Sequence, residues 1–284
     1  MSIAEIIGKI NRYKVVKTLE FGAYLDGGNG LEILLPARYV PKICNVGDEV
    51  NVFIYHDNEG RLIATTTKPL AIVGEFRLMQ VKEVSCVGAF LEWGIMKDLL
   101  VPYREQKMQM KKGHWYIVYV YLDNMTNRIV ASARIDKFLN NVPPLYKRNQ
   151  EVDLMVAEET AIGYKVIINN LHWGLLYRNE VFRTLVKGEK LKGYIKDIRE
   201  DDKIDVSMHK LGYEKVDGIA QHIMDVLLLN KGYLPLHDKS DADEIRALFA
   251  CSKKSFKKAI GFLYKKGLIV LDEKGIQSKK TVKS

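Results

Sequence analysis

Cysteine is scarce in this chain, with only Cys44, Cys86 and Cys251 among 284 residues. An odd number of widely spaced cysteines fits neither a disulfide framework nor a zinc site, which needs ligand pairs at close spacing. We therefore expect three reduced, buried thiols, because free cysteine commonly packs as a small hydrophobe.

Long apolar runs are also absent. No stretch of about 18 uncharged apolar residues occurs, so the sequence predicts no membrane-spanning helix. The opening MSIAEIIGKI has neither the basic start nor the apolar core of a secretory signal. We expect a cytoplasmic protein without a membrane partner.

Known catalytic motifs are missing as well. The sequence has no phosphate-cradling glycine loop, no HExxH and no nucleophile elbow. The acidic cluster Asp201, Asp202 and Asp205 could hold magnesium, but it falls at a predicted hairpin turn, where solvated polar residues are usual. We expect a protein that is not an enzyme, with no cofactor and no bound metal.

Positive charge is in excess, with a formal net charge of +9 and a pI near 9.2. Lys and Arg outnumber Asp and Glu by 12 to 7 in residues 71–149 and by 14 to 9 after residue 212, whereas the counts are 8 to 8 in residues 1–70 and 10 to 11 in residues 150–212. This imbalance indicates an anionic partner and makes nucleic acid a candidate.

A repeat organises most of the chain. Four blocks recur in one order in residues 7–70 and 73–139, and a weaker copy occupies residues 150–212. The clearest block reads FGAYLDGG at 21–28 and VGAFLEWG at 87–94. The corresponding residues are the glycines Gly22, Gly88 and Gly163, the arginines Arg38, Arg104 and Arg178, and the hydroxyl residues Thr65, Ser132 and Ser207.

Each copy contains short runs rich in Val, Ile, Tyr and Phe that alternate in polarity, as strands do, with turn residues between them. About five strands in some 65 residues is the size of a small closed OB-type barrel. The sequence predicts a mainly β fold with an α C-terminal domain, namely three tandem five-stranded barrels and a winged helix. The predicted domains are a first barrel at 1–70, a second at 71–142, a divergent third at 148–212, and a winged helix at 213–284.

The ordered pieces FGAYL, VGDEVNVFI and DNEGRLIATTTK resemble the RNA-binding domain first described in ribosomal protein S-one, a five-stranded OB barrel. That resemblance implies that Phe21 and Tyr24 lie on the ligand face and stack on unpaired bases, with Phe90 serving the second copy. The alternative is that these rings fill the barrel interior.

Basic and aromatic residues near the third strand of each copy are further candidates. An arginine fork suits a phosphate or stacks on a base, although each could be a solvated turn residue. The RNA-binding candidates in the three copies, besides the rings above, are Arg38, Tyr103, Arg104, Lys165, Tyr177 and Arg178.

The copies depart from that family pattern in two ways. The histidine of the family's third strand is replaced by Leu35, Val101 and Leu175, and the ring pair becomes Val87 with Phe90 and then Ile162 with Lys165. Copy three could therefore be structural or could bind through charge. Trp93, Trp115 and Trp173 are expected in a core or at a barrel rim, because tryptophan buries much apolar area.

The period changes from two to 3.6 after a helical bridge at about 214–230. Asp241 and Ser252 are predicted helix caps, Gly267 a helix end, and LIVLDEKGIQ a hairpin, which together look like a winged helix. On its second helix, Phe256, Ile260, Leu263 and Tyr264 form the predicted apolar stripe. The candidate nucleic-acid contacts on that helix are Lys253, Lys254, Lys257 and Lys258; the alternative is a solvated face.

The domain order and the phrase LPLHDKSDADEIRALFACSKKSFKKAIGFLYKKGLI resemble the bacterial conserved virulence factor B family across essentially the whole chain. That resemblance implies RNA binding and a regulatory role. We expect a non-catalytic, post-transcriptional factor that binds single-stranded RNA. The alternatives are a DNA-binding regulator that acts through the winged helix, and a ribosome or protein-interaction scaffold.

Overall fold

The structure is a computed structural model that describes residues 3–181, 183–208, 210, 214–249, 251–272 and 275–279. Three β modules are followed by a helical module with a small sheet. The chain divides into two compact units, Met1–Asn141 and Val142–Ser284. The first unit holds modules one and two, and the second holds module three and the helical module.

Module one is a closed five-stranded barrel with the strand order β1-β2-β3-β5-β4. Parallel pairing of Leu34 with Ile63 closes it, and alternate residues such as Val15, Leu25 and Ile33 fill it. A short helix α1, Ile3–Ile6, precedes it, and its strands are β1 Ile10–Leu19, β2 Gly22–Asp26, β3 Glu32–Pro36, β4 Glu49–His56 and β5 Leu62–Thr65.

Module two repeats this strand order, and its β8 and β10 lie side by side as β3 and β5 do in module one, but no ladder pairing joins them among the described residues, so the prediction of three closed barrels is confirmed only in part. In the described part of the chain no ladder pairing joins β8 to β10; instead Ala133 N donates to Glu105 O, 2.9 Å away, in the turn after β8. This hydrogen bond joins the turn after β8 to the residue that follows β10. The strands are β6 Phe76–Ser85, β7 Gly88–Leu91, β8 Leu99–Pro102, β9 Trp115–Asp123 and β10 Arg128–Ser132.

Module three closes like module one, through parallel pairing of β13 with β15 between Gly174 and Ile204. Its interior is mostly aliphatic and includes Leu154, Val166 and Val206, together with the ring of Tyr164. The strands are β11 Glu151–Thr160, β12 Gly163–Ile168, β13 His172–Tyr177, β14 Lys190–Ile198 and β15 Ile204–Ser207.

One glycine position recurs at the start of the second strand of every module. A Cβ added there would lie 2.3 Å from Leu35 O at Gly22, and 2.2 Å from Val101 O at Gly88 and from Leu176 O at Gly163. All three glycines also have φ near +150°, with values of 153° at Gly22, 149° at Gly88 and 155° at Gly163. Only glycine permits both this backbone and this approach of the third strand.

The helical module has the predicted pattern of caps. Asp241 Oδ1 accepts from Asp243 N at 2.7 Å, Ser252 Oγ accepts from Ser255 N at 3.2 Å, and Gly267, with φ of +69°, follows the last helix. The elements are α2 Glu214–Leu229, β16 Tyr233–Leu234, α3 Ala242–Phe249, α4 Lys253–Lys265, β17 Ile269–Asp272 and β18 Gly275–Ser278.

The buried stripe of α4 differs from the prediction at one position. Phe256, Ile260 and Leu263 are buried together with Ala259, whereas Tyr264 is 56% exposed. With Phe256, Ile260 and Leu263 filling the core, the 3.6-residue period turns Tyr264 beyond the edge of the stripe.

The sequence predicts no membrane-spanning helix and three buried thiols. Within the described residues, none of the helices combines the length and apolar character that crossing a membrane requires. The thiols are free, but Cys86 is exposed and only Cys44 and Cys251 are partly buried. The expectation of buried thiols is therefore wrong at Cys86, which occupies the tip of the β6–β7 hairpin.

The glycine position predicts a large and local cost of substitution. We expect Gly22→Ala to lower the free energy of unfolding by about 2 kcal/mol or more, because it adds a steric clash to an unfavourable φ. Urea denaturation measures the difference. Gly60→Ala is the matched control, because its φ is +83° but no atom lies within 4 Å of the added Cβ; equal losses in both variants would contradict the close-approach explanation.

Candidate nucleic-acid interface

The two predicted rings of module one lie together on the outside of the barrel. Phe21 is 57% exposed and Tyr24 is partly buried, and neither belongs to the barrel core. Their ring centroids are 6.2 Å apart in an edge-to-face arrangement. The interior-packing alternative does not describe either ring.

A cation that sequence reasoning missed completes this surface. Lys17 Nζ lies 4.4 Å from the centroid of the Tyr24 ring and pairs with Glu32 Oε2 at 2.5 Å. A bulge in β1 between Val15 and Lys17 brings Lys17 opposite Tyr24. The signal was present in the sequence, since Lys17 and Tyr24 are placed symmetrically about the β1–β2 turn. We call Lys17, Phe21 and Tyr24 the ring-pair surface.

Module two retains one ring at the corresponding place. Val87, at the position of Phe21, is 53% exposed, and Phe90 is partly buried opposite Glu83. Tyr103 is 43% exposed, but its hydroxyl donates to Ser85 O at 2.7 Å, which ties it to the hairpin. The exposed Arg104 lies 3.6 Å from Asp123 Oδ1.

In module three the candidate side chains are engaged within the module. Lys165 Nζ lies 3.8 Å from the Trp173 ring centroid, and the Tyr177 hydroxyl accepts from Arg199. Arg178 donates to Thr160 O at 3.0 Å and pairs with Glu159 Oε1 at 2.9 Å. These residues support the module's own β11–β12 turn and sheet.

The strand register corrects two correspondences in the repeat. Gly22 pairs with Pro36, Gly88 with Pro102, and Gly163 with Tyr177. The positions that follow by two residues are therefore Arg38, Arg104 and Asn179, so Arg178 is not the counterpart of the other arginines. By the same register the counterpart of the buried Leu35 and Val101 is Leu176 and not Leu175.

Arg38 borders a small polar cavity in the first unit. Its guanidinium carbon lies 4.8 Å from the Tyr39 ring centroid, and the cavity has a volume of about 290 Å³. Lys97 also lines the cavity, and its Nζ donates to His56 O at 2.7 Å and to Asp57 O at 2.9 Å; burial lowers the pKa of this amine. Lys97 thus joins the β4–β5 hairpin of module one to module two.

The predicted lysines of α4 lie on its solvent side. Lys253 donates to Lys239 O at 3.2 Å, and Lys257 lies 3.7 Å from Asp238 Oδ2. Lys254 and Lys258 are exposed and make no ion pair among the described residues. Two of the four candidates thus present free charge.

The tryptophans do not share one environment. Trp93 is 1% exposed, packs against Phe53 and Tyr55, and donates from Nε1 to Ala71 O at 2.8 Å. Trp173 is partly buried beneath Lys165. Trp115, the first residue of β9, is 55% exposed, so it does not lie in the core.

The acidic cluster of module three is committed to neighbouring cations. Arg199 donates to both carboxylate oxygens of Asp205, and Lys203 Nζ lies 2.6 Å from Asp201 Oδ2. Asp202 has φ of +58° in the β14–β15 turn, as predicted for a turn residue. Among the described residues no three His, Cys, Asp or Glu side chains are placed so that they could hold a metal ion together.

A buried ion pair lies beside Arg104 in module two. Glu105 is 7% exposed and its Oε2 lies 2.5 Å from Lys137 Nζ. Burial opposes ionisation of Glu105, but hydrogen bonds from Lys137, Ser132 and Tyr121 outweigh it and lower the pKa of Glu105 below its usual range. The same carboxylate helps to raise the pKa of Tyr121 to about 12, although burial is the larger cause.

Comparison with known proteins agrees with this architecture. Residues 7–67 match a family model described as S1 domain, and residues 221–277 match one described as CvfB-like winged helix domain. Proteins named conserved virulence factor B from Staphylococcus epidermidis and Staphylococcus saprophyticus are 26% and 27% identical to this chain, and each alignment covers 94% of it and 93% of the relative. The predicted resemblance to that family is confirmed.

One solved structure also aligns over most of the chain. It is described as a multidomain protein with nucleic acid binding domains from Streptococcus pneumoniae. It is 25% identical, and the alignment covers 96% of this chain and 99% of that one with a TM-score of 0.41.

The Glu105 pair predicts a pH-dependent stability. Because the folded-state pKa of Glu105 is lowered, its contribution is present above the unfolded pKa of about 4.3 and is lost as the pH falls through the folded value. We expect Glu105→Gln to be less stable than the wild type at pH 6, with the gap narrowing towards pH 3. Urea denaturation across this range measures it, and a gap independent of pH would contradict the assignment. Glu49→Gln, which removes an exposed ion pair with Arg12, is the control and should cost little at pH 6.

Proposed function

We propose that this protein binds single-stranded RNA without catalysing a reaction on it, and that it acts as a post-transcriptional regulatory factor. The observation that carries this proposal is the ring-pair surface, where an exposed phenyl ring, a tyrosine ring and a lysine meet on the outside of a barrel. Unpaired bases stack on such rings with little sequence preference. The matches to S1 and winged-helix domain families support this class of ligand.

The proposal divides the interaction between stacking and charge. Module one offers the rings in a part of the chain with balanced charge, whereas α4 offers free lysines. Contacts made in series on one flexible strand gain from effective concentration, so that individually weak sites can give useful affinity.

A DNA-binding regulator is the second candidate function. It is favoured by the outward lysines of α4, because a helix that presents cations suits the phosphates of a duplex as well as those of a single strand. Competition separates the two candidates. Duplex DNA of equal length should fail to displace a labelled uridine 12-mer at equal concentration; efficient displacement would favour the DNA-binding candidate.

The ring-pair surface predicts a loss of affinity when its rings are removed. We expect the double variant Phe21→Ala with Tyr24→Ala to weaken binding of the uridine 12-mer by about tenfold or more, because each stacked base contributes on the order of 1 to 3 kcal/mol. Fluorescence anisotropy of the labelled oligonucleotide measures this. The salt dependence should be unchanged, since no cation is removed.

A second double variant in the same module controls for the loss of exposed apolar surface. Ile43 and Val46 are 86% and 61% exposed in the loop before β4. The double variant Ile43→Ala with Val46→Ala should bind as the wild type does. Equal weakening in both double variants would contradict a specific role for the rings.

The free lysines of α4 predict an effect on salt dependence. We expect Lys254→Ala with Lys258→Ala to reduce the slope of log affinity against log salt concentration by about 1.4, because each single-strand phosphate contact contributes about 0.7. Lys257→Ala is the control, since Lys257 is already near Asp238, and its effect should be smaller. An unchanged slope in the double variant would show that these two lysines of α4 do not contact the RNA.

A further inference from the structure

The turn before the fourth strand is built in the same way in all three modules. A glycine amide in each turn donates to the first strand, and the next amide closes the turn on the carbonyl three residues earlier. The glycine bonds are Gly47 N to Val15 O at 2.8 Å, Gly113 N to Val81 O at 2.8 Å and Gly188 N to Val156 O at 2.7 Å. The closing bonds are Asp48 N to Asn45 O at 3.1 Å, His114 N to Lys111 O at 3.2 Å and Glu189 N to Val186 O at 3.0 Å.

The side chain that follows this glycine distinguishes module two. In modules one and three it is an acid that accepts a backbone amide of its own turn, Asp48 Oδ2 from Asn45 N at 2.8 Å and Glu189 Oε2 from Val186 N at 3.1 Å. Module two has His114 there, and Lys111 N donates instead to the Tyr116 hydroxyl at 3.2 Å. Tyr116 therefore takes over the capping, and the His114 side chain makes no hydrogen bond within the described part of the chain.

The first residue of the fourth strand also differs. Glu49 and Lys190 occupy it in modules one and three, and Trp115 occupies it in module two. Trp115 is 55% exposed, although an indole has a large apolar area whose burial would stabilise the fold. Gln80, opposite Trp115 in β6, donates to Gly113 O at 2.9 Å and so fixes the turn beside the ring.

The turn before Trp115 carries the positive charge of Lys111 and Lys112, with no counterion in the described part of the chain. Lys111, Lys112 and His114 are exposed, and no ion pair involves them in the described part of the chain. The sequence contains no acidic residue between Glu105 and Asp123. We call Lys111, Lys112, His114 and Trp115 the Trp115 patch.

We propose that the Trp115 patch is a second stacking site for single-stranded RNA, in which a base lies on the indole and the lysines contact neighbouring phosphates. The inference rests on the proposed function and adds a contact outside the ring-pair surface. An exposed aromatic ring beside unpaired cations suits RNA, because a base can stack on the ring while its phosphates contact the cations. An acidic peptide would use the cations but would have no need of the ring. Module two, which has Val87 in place of a first ring, thus gains an aromatic contact elsewhere.

Tryptophan fluorescence of the full chain tests this directly. Trp93 is 1% exposed and Trp173 lies under Lys165, so Trp115 is the indole best placed to report on RNA. We expect a uridine 12-mer to quench the emission and to protect it from acrylamide. Trp115→Phe should abolish this RNA-induced change, whereas Trp173→Phe should retain it.

Affinity gives a second readout. We expect Trp115→Ala to weaken binding of the uridine 12-mer about fivefold or more, and Lys111→Ala with Lys112→Ala to reduce the salt slope by about 1.4. Met125→Ala is the control for lost apolar surface, because Met125 is 88% exposed at the other end of β9. It should bind as the wild type does, and thermal melting should show each variant folded.

The outcomes separate this inference from the proposed function. In one outcome the wild type binds the 12-mer without a change in its Trp115 emission, Trp115→Ala binds normally, and the Phe21→Ala with Tyr24→Ala variant binds weakly. The Trp115 patch is then not a stacking site, and the proposed function stands. If the wild type does not bind the 12-mer at low salt, the proposed function itself fails. If polyglutamate of equal charge quenches Trp115 as strongly as RNA, the patch recognises charge alone and the inference is overturned.

Discussion

Each β module depends on the close approach between a carbonyl oxygen of its third strand and the glycine that begins its second strand. A Cβ added to this glycine would lie only 2.2 to 2.3 Å from that oxygen. Only glycine therefore fits at this position, where the hairpin turns into its second strand. The residue before the glycine consequently projects from the hairpin tip: Phe21 is 57%, Val87 53% and Ile162 59% exposed. The residue before the glycine therefore points outward in every module, and it can be replaced by another residue type without a change in the core.

The three copies use this freedom differently. Module one places an aromatic residue at the tip, with Tyr24 and Lys17 beside it, whereas module two places its exposed ring at the start of the fourth strand. In module three, Lys165 covers Trp173 and Arg178 binds its own hairpin. Under the proposed function, the capacity to stack on bases therefore belongs to modules one and two, and module three contributes mainly its fold.

Local chemistry made much of this predictable from the sequence. The alternation of strands, the turn glycines and the caps Asp241 and Ser252 depend on neighbours within a few residues, and all appear where expected. The error at Arg178 has a different origin, because copy three has one residue fewer between its glycine and its arginine, and matching by residue type hid the shift. Closure of module two and exposure of Trp115 depend on contacts between strands distant in sequence, which no local pattern reports.

Net charge is a poor guide to where a polyanion would be held, because pairing decides which cations are available. Module three contains 10 basic residues against 11 acids in residues 150–212, and Arg178, Lys196, Arg199 and Lys203 are all paired with acids. Lys111, Lys112, Lys254 and Lys258 are exposed and make no ion pair among the described residues. Since a paired cation must lose its partner before it can gain a phosphate, counterion release on binding should come from unpaired cations such as these. The salt dependence of binding should therefore follow the unpaired cations that contact the strand and not the overall charge.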